Sequence, residues 1–170
     1  MDRIVSNATP LIYLAKSNKL SLLQTVVNQV LIPEAVFQEV VIEGKRLGEK
    51  DSYRVEKAIS EGWLKVKKVN NHISFEFSLH AGEIEVISLA REMEIKTVII
   101  DDAKARSAAE LAGLIPVGTL GIILHAVKNN IMDFDEFLST LENIIDSGFY
   151  IKDDVYVKVI RTARKLSQEQ

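Results

Sequence analysis

The chain contains no cysteine, which removes disulfides, thiolate-ligated zinc and thiol nucleophiles together. It has no basic excess either. The 21 Lys and Arg stand against 24 Asp and Glu, for a net charge of −3. No global field for polyanions exists, so any nucleic-acid contact must come from a local cluster. No apolar run approaches the roughly 18 residues of a membrane span. The opening "MDRIVSNATP" reads as a strand and a turn, not as a charged-then-apolar leader. His72, His80 and His125 are scattered without ligand spacing, and no repeat, low-complexity stretch or interior linker divides the chain. These absences predict a cytoplasmic protein without a membrane segment. At 170 residues and 47% apolar the chain suits one domain over 1–170, with 149–170 as a C-terminal helical extension.

What is present is an alternation of strand and helix signals. Arg3 to Ser6 is short and β-branched at its centre, as a buried strand should be. Thr9 and Pro10 predict a helix start, with the hydroxyl as cap and proline at the first helical position. A short helix over Leu20 to Val26 follows, then the strand "QVLIP" and a helix from Glu34 to Ile42. Glu43 to Asp51 is charged and glycine-bearing and reads as an exposed loop. Ser52 to Ser60 is helical, "WLKVKKV" alternates like an edge strand, and Asn70 to Phe77 is irregular. Helical spacing returns from Leu79 to Met93. Thr97 to Ile100 is the clearest strand, and Ala103 to Ala112 is the helix that leaves it. "LIPVG" is a last strand, with Thr119 capping a helix to Val127, another from Asp133 to Ile145, and a terminal one over Asp153 to Leu166. Such alternation predicts a three-layer α/β/α fold with a central, mostly parallel sheet.

In such sheets ligands bind beyond the carboxyl ends of the strands, and oxygen-bearing side chains recur there. Asn7 closes the first strand, and Asp101 and Asp102 close "TVII". Glu39 lies between Val36 and Val40 on a helix, and Glu83 sits in the first turn of another, with Ile87 and Ala90 placing it on the core-facing side. Glu85, two residues on, must face elsewhere. Each has an ordinary structural role open to it: helix capping for Asp101 or Asp102, dipole pairing for Glu83, turn formation for Asn7. Gathered together, such hard oxygen donors are what Mg2+ or Mn2+ requires.

The order of segments carries more than any one of them. Strand-end "VSNATPLIYLAK", proline-opened "IPEAVFQEV", "GEIEVISLA", "VIIDDAKAR" and "GLIPVGTLGIILHAVKNNIM" together resemble the PIN domain superfamily. The match is closest to the subgroup catalogued as a domain of unknown function, and it covers nearly the whole chain. The resemblance implies a metal-dependent nuclease acting on single-stranded RNA, of the kind that forms the toxin half of a toxin–antitoxin pair, with an antitoxin as protein partner and a homodimer as assembly. Matched residue by residue, it implies a catalytic set of Asn7, Glu39, Glu83 and Asp102. Asn7, Glu83, Asp101 and Asp102 would be the metal ligands, and Thr9, Lys104 and Arg106 would contact nucleic acid.

Asn7 falls where the family has an aspartate, so one negative charge is missing. Two readings follow: a working variant of a hydrolytic site that uses Mg2+ or Mn2+, and a degenerate module that binds RNA or a protein partner. A phosphoryl-accepting receiver domain ranks lower, because it needs an acidic pair after the first strand where this chain has Asn7 and Ala8. Cations that could offset phosphate fall in three groups: Lys104 with Arg106, Lys45 with Arg46, and Lys65 with Lys67 and Lys68. In the terminal segment Val155, Val159 and Ala163 form an apolar stripe between basic faces. It is suited to packing on the sheet domain, or to a dimer or antitoxin contact.

Overall fold

A computed structural model describes residues 3–169. Five parallel strands form one sheet in the order β3-β2-β1-β4-β5. They are β1 (Arg3–Ser6), β2 (Gln29–Pro33), β3 (Leu64–Lys67), β4 (Thr97–Ile99) and β5 (Ile115–Val117). The sheet is parallel throughout because every connection returns through helix. Its central strands read as nearly unbroken apolar runs, as they must when both faces are covered. Ile4, Val5, Val30, Leu31, Ile32, Val98 and Ile99 are all at most 1% exposed.

On one face α1 (Ala8–Lys16) packs against α5 (Asp51–Ser60), and both meet the helical segment that follows β2. On the other, α6 (Ala81–Glu92) lies across β1, β2 and β4 and touches α7 (Ala103–Leu111). The short α2 (Leu22–Val26) precedes β2. After β5 the chain adds α8 (Thr119–Lys128), α9 (Phe134–Asp146) and α10 (Asp153–Gln168), which pack on one another, with α8 and α9 resting on α1. The three-layer expectation therefore holds. The terminal stripe packs inward, with Val159 and Ala163 buried as α10 lies on α8 and α9. Among the described residues no helix is long and apolar enough to cross a membrane.

One segment departs from the expected pattern. α3 (Glu34–Phe37) runs without a break into a π-helical stretch, Gln38–Glu43, and then into α4 (Gly44–Arg46). The exposed loop expected over Glu43 to Asp51 is therefore helical as far as Arg46, and only 47–50 lie outside helix. Its charges are satisfied along the helix surface: Arg46 Nε donates to Glu43 Oε2 at 2.7 Å and Lys45 Nζ to Glu56 Oε1 at 2.5 Å. Of its two glycines Gly44 is buried within the helix, while Gly48, at φ +76°, makes the turn that follows. The wider π turn lets Val40 and Val41 both reach the core, each at 1% exposure. Glu39 sits at its start, and π segments of this kind often mark functional positions.

Two helix starts also differ from expectation. α1 begins one residue before Thr9, with Asn7 as the capping position, and α8 is capped by Gly118, with Thr119 as its first helical residue.

Candidate metal and active site at the strand ends

The strand order places β1 at the point where connections diverge, β2 and β3 to one side and β4 and β5 to the other. The crevice beyond the carboxyl ends of β1 and β4 is where such a sheet binds ligands. Asn7 stands at its base. Its backbone N–H donates to Ile99 O at 2.9 Å, tying the end of β1 to the end of β4. Its side chain is 8% exposed and makes no cap bond to α1. Where an ordinary turn-forming asparagine would spend its amide on the following helix, this one turns toward α6.

Gly82, in the first turn of α6, shows what converges there. A methyl group at Gly82 would lie 3.5 Å from Asn7 Oδ1, 3.6 Å from Val36 Cγ2 and 3.7 Å from Glu39 Oε2. The amide oxygen and the carboxylate thus share one small cradle, kept open by the missing side chain. Glu39 as a residue is exposed, yet its carboxylate end lies within this cradle. Burial there raises its pKa above the ordinary 4.5; the nearby His80 opposes the rise and the Glu83 carboxylate adds to it. Glu83 is 7% exposed, and its Oε2 accepts the His80 backbone N–H at 2.9 Å, closing the start of α6. Asn7, Glu39 and Glu83 are therefore brought together. His80 joins them, although its spacing from the other histidines gave no sign of a role. Its only signal in the chain was its place three residues before Glu83, at the start of a helix.

The aspartate doublet divides its work. Asp102 is exposed and caps α7, its Oδ1 accepting Ala105 N–H at 2.9 Å. Asp101 turns to the β5 side. Its Oδ1 accepts Thr119 N–H at 2.7 Å and its Oδ2 accepts the Thr119 hydroxyl at 2.6 Å. Gly118 permits this, since a Cβ there would stand only 2.9 Å from Asp101 Oδ1. Burial raises the pKa of Asp101; the two bonds from Thr119 and the charge of Arg106 oppose it.

Arg106 is committed to backbone. It donates through Nη1 to Ile100 O at 3.0 Å and through Nη2 to Pro116 O at 3.2 Å, fastening edge strand β5 to the end of β4. Lys104, by contrast, is exposed in the first turn of α7. Thr9 is half-buried on α1, two residues from Asn7. Glu85 faces away from the cradle and binds Ala35 N–H at 2.9 Å, which ties α6 to α3.

These positions bear directly on whether a metal ion suits the site. Among the described residues no three Asp, Glu or His side chains are grouped to hold one. What is grouped is two carboxylates, Glu39 and Glu83, with one amide oxygen. Mg2+ is commonly held by one or two carboxylates, with waters and substrate phosphate filling its remaining positions. The donor set fits one such cation; a second would lack the carboxylates to neutralise it. Asn7 makes no cap bond to α1 and turns its Oδ1 to the Gly82 cradle, so it can serve as a neutral third oxygen donor.

Comparison with known proteins adds the family. No curated protein and no solved structure gives a significant match to this chain. A family model described as PIN domain matches residues 3–165. The matched span takes in all five strands, the cradle at Gly82 and the Asp101–Thr119 clamp, and it ends inside α10. The chain belongs to the PIN domain family.

Proposed function

We propose that this protein is a metal-dependent ribonuclease that hydrolyses phosphodiesters of single-stranded RNA, with Asn7, Glu39 and Glu83 as its donor set. The observation that carries this reading is the convergence of the Asn7 amide oxygen and the Glu39 carboxylate on Gly82, beside buried Glu83, at the carboxyl end of the sheet. A Mg2+ or Mn2+ ion held there would polarise a phosphoryl oxygen and acidify a bound water. Glu39, whose pKa is raised by burial, is the carboxylate suited to orient the attacking water and take its proton. Asp102 keeps its second carboxylate oxygen in solvent at the same edge of the sheet, where it can bind the cation through water.

The cations that would offset the phosphates are those without another task. Lys45 and Arg46 are paired with glutamates, and Arg106 is held by carbonyls. Lys65, Lys67, Lys68 and Lys104 form no ion pair among the described residues. β3 and the start of α7 place these lysines on opposite sides of the cradle, which gives a strand of RNA a positive footing at each end. In cells we place the protein as the toxin of a toxin–antitoxin pair and as a homodimer, both on family grounds. Light scattering of the purified protein at micromolar concentration is expected to give twice the 19.0 kDa chain mass; a monomeric mass would rule the dimer out.

One observation favours the second reading, a non-cleaving module that binds RNA or a protein partner. Asn7 brings no charge, and Asp101 spends both its oxygens on Thr119. Asn7→Asp separates the two. On the ribonuclease reading both proteins cleave a fluorophore-labelled single-stranded RNA with Mn2+, and the variant binds Mn2+ about tenfold more tightly by calorimetry, on the order of 1.4 kcal/mol. Cleavage by the variant alone would establish the wild type as the non-cleaving module.

A further inference from the structure

Resting on the ribonuclease reading, we propose that the cleft between residues 72–79 and α6 is a nucleobase subsite, in which Phe77 stacks a base of single-stranded RNA and Lys104 meets its phosphate. The cleft has a volume of about 460 Å3. Phe75 and Phe77 are half-buried and packed on the core, with ring centroids 5.8 Å apart and planes tilted by 43°. That spacing leaves no room for a base between the rings, so a base stacks on the face of Phe77 that Phe75 does not cover. Ile84 completes the apolar wall, the exposed Ser74 and Ser78 line the cleft with hydroxyls that can donate to or accept from a base edge, and His72 with Glu85, 3.5 Å apart, forms its polar end.

The position of the cleft supports a nucleotide as occupant. Ala81 lines it, while Gly82 and Glu83, the next residues of the same helical turn, belong to the acidic cradle. The cleft, on the face of α6 that carries Ala81, Ile84 and Glu85, and the cradle at Gly82 thus lie on neighbouring faces of the first turns of one helix. A nucleotide with its base in the cleft runs its backbone past the helix start toward the donor set. Lys104 supplies the charge complement. Lys104 is exposed and forms no ion pair among the described residues; its ammonium stands over the Phe77 ring, 5.7 Å from the centroid, and the flexible side chain swings off that face to meet a phosphate. An aromatic face with a cation beside it is the arrangement that binds unpaired nucleotides with little sequence preference.

The test uses fluorescein-labelled rU12 and a labelled chain of twelve abasic ribose phosphates, titrated by fluorescence anisotropy in EDTA so that no cleavage intervenes. Phe77→Leu keeps the apolar packing and removes the ring. It is expected to weaken rU12 about tenfold and to leave the abasic chain unchanged, and Phe77→Tyr is expected to restore binding. Lys104→Ala is expected to weaken both ligands and to lower the salt slope by about one ion. Unchanged rU12 binding in Phe77→Leu, at an unchanged thermal midpoint, would overturn the subsite, and so would an equal loss for both ligands. The two proposals fail separately. Base-dependent binding without Mn2+-stimulated cleavage supports the subsite and ends the ribonuclease reading. Cleavage that Phe77→Leu leaves untouched, with binding equally untouched, ends the subsite alone.

Discussion

Glu39→Gln and Glu83→Gln are each expected to lower Mn2+-stimulated RNA cleavage by about 10²- to 10³-fold, the loss seen when one preorganised electrostatic group is removed from an active site. Both variants keep the shape of the side chain and change only its charge. In Glu83→Gln the new amide still offers an oxygen to the His80 N–H that closes the start of α6, so the fold is retained. Glu39→Gln is expected to be tolerated as well: burial raises the pKa of this carboxylate, so a neutral amide there is no worse buried than the charged group. Initial rates on a fluorophore–quencher RNA, with thermal midpoints for each variant, check both points. Glu110→Gln is the control. That residue is exposed near the end of α7, outside both the cradle and the cleft, and its replacement is expected to leave the rate at the wild-type value. Wild-type rates in the Glu39 and Glu83 variants would remove the proposed donor set.

Asp101 is expected to show a large effect of another kind, on stability. Asp101→Ala strands the Thr119 N–H and hydroxyl, which it now accepts at 2.7 and 2.6 Å. Thr119 is fully buried, so no water replaces the lost partner, and the cost is about 3 kcal/mol. Asp101→Asn preserves the arrangement, since its oxygen accepts the N–H while its amide donates to the hydroxyl. The two variants also differ from wild type in pH dependence. The folded pKa of Asp101 lies above its ordinary 3.8, so the native state holds this proton more tightly than the unfolded chain does. The resulting stability is complete below 3.8 and is lost as pH rises through the folded value. Asp101→Asn does not titrate and lacks that loss. Its thermal midpoint relative to wild type is therefore expected to rise between about pH 4 and pH 7. A flat difference across that range would show that burial does not strain the carboxylate.

The strands were legible in the chain because a doubly covered parallel sheet demands short, β-branched, uninterrupted apolar runs, and "RIVS", "QVLIP" and "TVII" satisfy that demand locally. Helix starts were harder to read. Thr9 and Thr119 look like caps, but Asn7 and Gly118 hold those positions, because Thr119 is drawn to Asp101 across the sheet. The segment from Glu43 to Arg46 reads as a loop by composition. Its helix depends on ion pairs to neighbours and on a glycine pressed against the core, and neither is visible in a local window.

The candidate site divides along the same line. The sequence by itself determined which oxygen donors stand at strand ends and helix starts, and it identified Asn7, Glu39, Glu83 and the Asp101–Asp102 pair as the residues to watch. Periodicity is a local property, and these positions follow from it. Only the tertiary structure decided which of them meet. It gathered Asn7, Glu39 and Glu83 around Gly82, brought His80 beside them, assigned Asp102 to α7 as its cap, and locked Asp101 to Thr119. It also took Arg106 for the backbone and left Lys104 in solvent beside Phe77. These pairings join residues far apart in the chain, through the strand order β3-β2-β1-β4-β5 and the crossover of α6. Side-chain convergence of that kind is set by packing between elements, and no pattern within an element encodes it.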